Sequence, residues 1–259
     1  VYSDMQRIWD MYHTKAHINL IVCGSIFSMM TKIFKDKKEP LYNRQTRFMS
    51  IKPFTPAVLK EIMAEYNPDH AAEDLLAIYS FTGGVAKYVQ LLIDAGATTK
   101  TKMINHIIKA DSVFLGEGKA ILIEEFGKDY GVYFSILSAI ARGKTSRSEI
   151  ENYDAVKAMI NRDYETFSGK MLERYFKRVL IESKAYTRIG SWWDRKGENE
   201  IDIVAENELN DEAVFIEVKR KKENFDAVAL NEKVSVFTRA TGKFKGYVIS
   251  QKGLSMTDM

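Results

Sequence analysis

Apolar and polar residues alternate along this chain in two rhythms, and the change of rhythm divides it. At the start, Met5, Ile8, Trp9 and Tyr12 recur at helical spacing and predict a helix over residues 2–12. The run INLIVCGS, residues 18–25, predicts a short buried strand ending in Gly-Ser. FKDKKEPLYNRQ reads as a polar loop, and FMSIKPF alternates as a strand does until Pro53. Thr55 ahead of Pro56 is a good N-cap with proline in the first turn, opening a helix over 57–66. Asp69 starts another through AAEDLLAIYSF, which Gly83-Gly84 ends. VAKYVQLLIDA resumes helically, and the pattern stays helical to about residue 128. DYGVYFSILSAIARGKTSRSEIENY has the form of a helix, a turn at Gly143 and a second helix, with Ser146 and Glu149 as a candidate capping box. It reads equally as a helix-turn-helix and as an ordinary αα-hairpin.

Beyond residue 160 the rhythm shortens. SGKMLERYFKRVLIES predicts an amphipathic helix capped by Ser168. Strands follow at AYTRIGSWWD, NEIDIVAEN and AVFIEVKRK, then a helix over 226–239 and a last strand at KGYVIS. The order α-β-β-β-α-β is a compact α/β unit of ordinary domain size. The expected organisation is therefore three parts: 1–110, 111–160 and 161–259. In the pair Trp192-Trp193, strand alternation sends one ring to the core and one to solvent.

Composition narrows the class. The 259 residues are 46% apolar and 28% charged with a net charge of +3, which is ordinary for a globular protein and too mild to imply nucleic acid by itself. The one cysteine, Cys23, excludes a disulfide framework and a cysteine zinc site, and points to a reducing cytoplasm. No signal peptide is evident, and the longest apolar stretch, 18–30, is too short and too interrupted for a membrane span. The four histidines are scattered and suggest no metal site.

Charges inside strands raise the chemical question. In NEIDIVAENELNDEAVFIEVKRKK, Asp202 lies within one apolar run and Glu217 and Lys219 within the next. Alternation puts Glu217 and Lys219 on one face, and pairing of the two strands brings Asp202 beside Glu217. Two carboxylates suit Mg²⁺, and a lysine beside them can act on a metal-bound water or stabilise a phosphate. Glu173 on the preceding helix offers a further acid, and Lys219-Arg220-Lys221-Lys222 offers charge for a nucleic-acid backbone. Taken alone, Glu-x-Lys in a strand more often marks a solvated edge.

Helix with Glu173, strand with Asp202, then Glu217-Val218-Lys219 resembles the PD-(D/E)XK nuclease superfamily. Ile201 stands where its proline would be, but that proline is not a ligand. The wording GSWWDRKGENEIDIVAENE followed by FIEVKRKK is similar to the C-terminal domain of a bacterial and archaeal family of AAA-type ATPases. That domain long carried an unknown-function label and is related to archaeal Holliday-junction resolvases. The resemblance implies Asp202 and Glu217 as Mg²⁺ ligands, Lys219 as catalytic lysine and Glu173 as accessory acid. It also covers the first hundred residues. INLIVCGS resembles the sensor strand, with Ser25 near the γ-phosphate of ATP. LYNRQTRFMSIKPF resembles the arginine-finger stretch, with Arg44 acting across a subunit interface of a self-associating ATPase and Arg47 as fallback. FTGGVAKYVQLL resembles the lid motif, with Ala86 where proline is usual.

Walker A and Walker B patterns are absent from the sequence, so the resemblance implies the C-terminal portion of a longer ATPase that neither binds ATP tightly nor hydrolyses it alone. Several dozen residues of the expected winged helix are also absent between ENY and DAVKAMINRDYETFSGK. The expected architecture is mixed α/β: an ATPase remnant of sensor strand and lid helices, a partial helix-turn-helix, then a PD-(D/E)XK-like domain. Three functions stay open: a Mg²⁺-dependent nuclease, a non-catalytic DNA- or protein-binding module, and a remnant active only in the full-length ATPase.

Overall fold

The computed structural model describes residues 1–17, 19–24, 27–109, 112–117 and 153–259. The chain divides into two compact units, Val1–Ile51 with Asp111–Glu151, and Lys52–Ala110 with Asn152–Met259. The helix-turn-helix expected over 129–153 lies outside the described residues, apart from its last residue, as does Ser25.

The first unit carries α1 (Tyr2–Tyr12) and α2 (Phe27–Lys35). Helix α1 has the expected bounds but buries no residue. The strand expected over 18–25 is not formed where the chain is described: residues 19–24 have no regular structure, and Ile21 is 87% exposed. Cys23 is exposed with them. The second expected strand, FMSIKPF, is also irregular, with Met49 and Ile51 exposed. Apolar character alone does not make a strand. Its N–H and C=O groups need a neighbouring strand, and no described residue of this unit provides one.

The second unit begins with a helical layer: α3 (Pro56–Tyr66), α4 (Ala72–Thr82), α5 (Ala86–Asp94) and α6 (Lys100–Ile107). Thr55 caps α3 as its sequence predicts, accepting from the Val58 amide. Helix α4 starts three residues later than Asp69, because the Asp74 side chain takes the Ala71 amide and fixes the first turn there. Gly83 ends it in the left-handed conformation. At Gly84 a side chain is excluded outright: its φ is +78° and a Cβ would lie 2.4 Å from the Phe54 carbonyl oxygen. Fully buried Leu59, Met63, Leu76, Ile78 and Leu92 form the interior of this layer.

Helix α7 (Tyr153–Ser183) is one unbroken helix of 31 residues. Ser168 therefore sits mid-helix and is not its cap. Its hydroxyl bonds back to the Glu165 carbonyl and receives the Arg220 guanidinium, which satisfies it in a fully buried position. Helix α7 packs on α3 and α4 and also on the sheet, so the helical layer and the sheet share one spine.

The sheet has β1 (Arg188–Trp193), β2 (Glu200–Asn207), β3 (Glu212–Lys219) and β4 (Val248–Ser255) in that spatial order. The first two pairings are antiparallel, and β3–β4 is parallel, joined through α8 (Ala227–Thr241). The α-β-β-β-α-β order is the one its rhythm predicts. One face carries a core of Ile201, Ala213, Phe215, Leu230, Val234 and Phe237 under α8. Trp192 joins that core while Trp193 is 65% exposed, as alternation requires. Strand β4 runs further than KGYVIS suggests, through Gly253 to Ser255. Gly253 is needed there because a Cβ would lie 2.5 Å from the Phe225 ring. The molecule is thus mixed α/β, with several helices and a small four-stranded sheet. Among the described residues no helix is long and apolar enough to cross a membrane.

Candidate active site

The centre of the sheet holds a group of charges that the local fold explains. Between Gly190 and Trp192 the β1–β2 register shifts: Gly190 faces Val204 and Trp192 faces Ile201. Strand β2 thus sets both Asp202 and Ile203 opposite Ser191, a β-bulge. This is why Ile201 and Val204, three apart, both pack against the α8 core. Bulges re-aim the side chain at the extra residue, and here that residue is Asp202. Its Oδ2 accepts from the Val218 amide of β3 at 2.7 Å. The last regular β2–β3 pair is Ile203 with Ile216, so Asp202 and Glu217 lie one step beyond it on neighbouring strands.

Glu217 and Lys219 share a face, as their spacing predicts: the Lys219 ammonium donates to Glu217 Oε1 at 2.8 Å. A second ammonium, Lys233 from α8, donates to the same oxygen at 2.9 Å. The other oxygen, Oε2, is buried and has no hydrogen-bond partner among the described residues. Asp202 and Glu217 are 9% and 7% exposed, so neither is a solvated edge charge.

Electrostatics link these groups. Burial pushes the Asp202 carboxyl above the ordinary aspartate range; the Val218 amide pulls against that, and Glu217 adds to it. Glu173, half-buried on α7, is raised by burial and then by the charge of Asp202. Burial alone would lower the Lys219 ammonium, but the Glu217 hydrogen bond and charge, with Asp202 and Glu173, outweigh it and raise it. Lys219 is therefore positively charged in this arrangement. Its charge suits it to stabilising negative charge on a neighbouring group.

Sequence order thus brings Asp202, Glu217 and Lys219 together, with Glu173 near enough to feel Asp202. Lys233 is not foreseeable from the strand pattern. Its only sequence signal is a basic residue flanking the apolar stripe of Leu230, Val234 and Phe237 on α8. The basic run at the end of β3 divides: Lys219 goes to Glu217, and Arg220 goes to Glu73 and Ser168. Lys221 and Lys222 stay exposed.

Two carboxylates with a buried, unpartnered oxygen fit a hard divalent cation that completes its shell with water. Asp202 Oδ1 takes no hydrogen bond among the described residues and is the second oxygen open to such a cation. Among the described residues no three His, Cys, Asp or Glu side chains form a group that could hold a metal ion, so any cation site here rests on this pair.

In the first unit Arg44 donates to both oxygens of Asp10, at 2.8 and 2.9 Å, and to the Pro40 and Tyr42 carbonyls. That hydrogen bond, above all, lowers the Asp10 carboxyl below its usual range. Arg47 is exposed.

A family model described as archaeal and bacterial proteins of unknown function matches residues 138–236, the stretch that contains Glu173, Asp202, Glu217 and Lys233. An uncharacterized protein of Methanocaldococcus jannaschii is 28% identical over 290 aligned positions, which take in 85% of this chain and 64% of that protein. The alignment is longer than the 259-residue chain, so the relative carries segments that this chain lacks. The chain spans a little under two thirds of that relative's length. No solved structure matches.

Proposed function

We propose that the C-terminal part of the chain is a PD-(D/E)XK-like domain whose centre holds Mg²⁺ and acts on DNA phosphodiesters, attached to a piece of an AAA-type ATPase. The observation that carries this reading is the buried, unpartnered Glu217 Oε2 on the strand beside Asp202, one step beyond the Ile203–Ile216 pair. A buried carboxylate oxygen left without a partner is costly, and sites of this kind persist where a ligand completes them. The element order supports the reading too, with Glu173 on the leading helix, Asp202 on the second strand and Glu217-x-Lys219 on the third.

Asp202 and Glu217 would hold the cation, which when bound supplies Lewis-acid polarisation of a phosphoryl oxygen and an acidified water. Lys219 neutralises charge that builds on the phosphate oxygens. Glu173, half-buried on α7, keeps its proton to higher pH than an ordinary glutamate. Lys221 and Lys222, exposed past the end of β3, offer charge to the backbone of the nucleic acid. In the ATPase piece, Arg44 must leave Asp10 before its guanidinium can serve a γ-phosphate on a neighbouring subunit. ATP binding itself belongs, on this reading, to relatives that carry the Walker motifs.

One observation favours a second reading. Lys219 and Lys233 together balance the charge of Asp202 and Glu217 without any metal, which suits a non-catalytic DNA- or protein-binding module. Incubating the protein with branched and linear DNA in Mg²⁺ or Mn²⁺, beside Glu217→Ala, separates the two. Cleavage that Glu217→Ala abolishes is the expected result. DNA binding without cleavage by the wild type would replace the nuclease reading with the binding module. Neither binding nor cleavage would leave the remnant of a longer ATPase.

A further inference from the structure

Lys233 is the group in this centre that strand pattern and resemblance both leave unassigned. It lies on α8, whose start is fixed by Asp226 accepting from the Val228 and Ala229 amides. Leu230, Val234 and Phe237 anchor the same helix in the core, and from that helix the Lys233 side chain reaches Glu217 on β3. Only 26% of it is exposed, and its ammonium ends on Glu217 Oε1. A lysine with solvent within reach does not give up hydration for a surface contact. It gives it up here for the buried carboxylate of Glu217.

From this geometry we infer that Lys233 is a positioning residue that makes divalent-cation binding at Asp202 and Glu217 depend on a phosphodiester being present. The inference rests on the metal reading above. In the free protein the two ammoniums already neutralise the two carboxylates, so a dication arriving alone brings two uncompensated positive charges into a poorly hydrated place. A phosphodiester offsets one of those two charges and gives the ammoniums a second acceptor. Cation and phosphodiester then strengthen each other's binding, and this mutual gain is the same measured from either side. Lys219 shares the task on the strand side, while Lys233 does it from a separate element and can be altered without changing the Glu217-x-Lys219 strand.

The test is Mn²⁺ binding followed by the electron paramagnetic resonance signal of the free ion, with and without a short DNA duplex. The full chain is compared as wild type, Lys233→Met and Lys233→Arg. Methionine keeps an unbranched stem and removes the ammonium with its hydrogen bond to Glu217. Without DNA, Lys233→Met is expected to bind Mn²⁺ about tenfold more tightly than wild type. DNA is expected to tighten Mn²⁺ binding in wild type and in Lys233→Arg, and much less in Lys233→Met. Wild-type Mn²⁺ binding that Lys233→Met leaves unchanged or weakens, with Lys233→Arg normal, overturns the inference alone. No Mn²⁺ binding by any of the three, with DNA or without, overturns the metal reading together with it.

Discussion

Replacing Arg220 by methionine removes the link between the end of β3 and the helical layer. The guanidinium donates from Nη2 to both oxygens of Glu73 on α4, at 2.9 and 2.6 Å, and from Nη1 to Ser168 on α7. It also lies 5.8 Å from the centroid of the Tyr164 ring, over which Lys100 sits on the other account of Glu73, 3.9 Å from that carboxylate. The pair is 21% and 26% exposed, so its worth lies above that of a surface bridge and below that of a buried one. Losing it leaves Glu73 with a single distant cation and Ser168 with one long bond to its own helix. A cost of about 2 kcal/mol follows, which for a unit of this size lowers Tm by roughly 4–8 °C. Thermal denaturation followed by circular dichroism gives the single effects, and a double-mutant cycle with Glu73→Gln isolates the pair. A coupling of about 1–2 kcal/mol is expected. If the two substitutions add to within about 0.3 kcal/mol, the bridge does not tie the helical layer to the strand, and the reasoning fails.

Two further outcomes follow from the centre of the sheet. Because the folded Asp202 carboxyl is raised above its unfolded value, its stabilising contribution is fully present below the unfolded pKa and is lost as pH rises through the folded one. Asp202→Asn, which keeps an acceptor for the Val218 amide, should therefore gain in Tm over wild type as pH rises above the ordinary aspartate range of about 4; a difference that does not change with pH would refute the burial argument. Gly253→Ala should cost about 1–3 kcal/mol in urea unfolding, since its methyl group meets the Phe225 ring at 2.5 Å beside Glu217; a neutral effect would show that the ring moves freely.

Much of this protein was legible from local physics. Thr55 with Pro56 announces α3, Gly83 ends α4, and Asp226 precedes α8, because caps and terminators act within a few residues of themselves. Strand alternation places Glu217 and Lys219 on one face, and their hydrogen bond follows from that. What local pattern does not carry is partnership. INLIV looks like a strand, yet its described residues are exposed and irregular, because a strand exists only through a neighbour. Ser168 looks like a cap until Arg220, 52 residues away, shows why it is tolerated within a helix. The position of Asp202 depends on a bulge set by the β1–β2 register, and Lys233 reaches Glu217 only because α8 packs across the sheet. The sequence by itself determined which elements form and which charges share a strand face. Tertiary structure alone decided which charges from different elements meet, since register and helix packing are fixed by contacts that no short window of sequence contains.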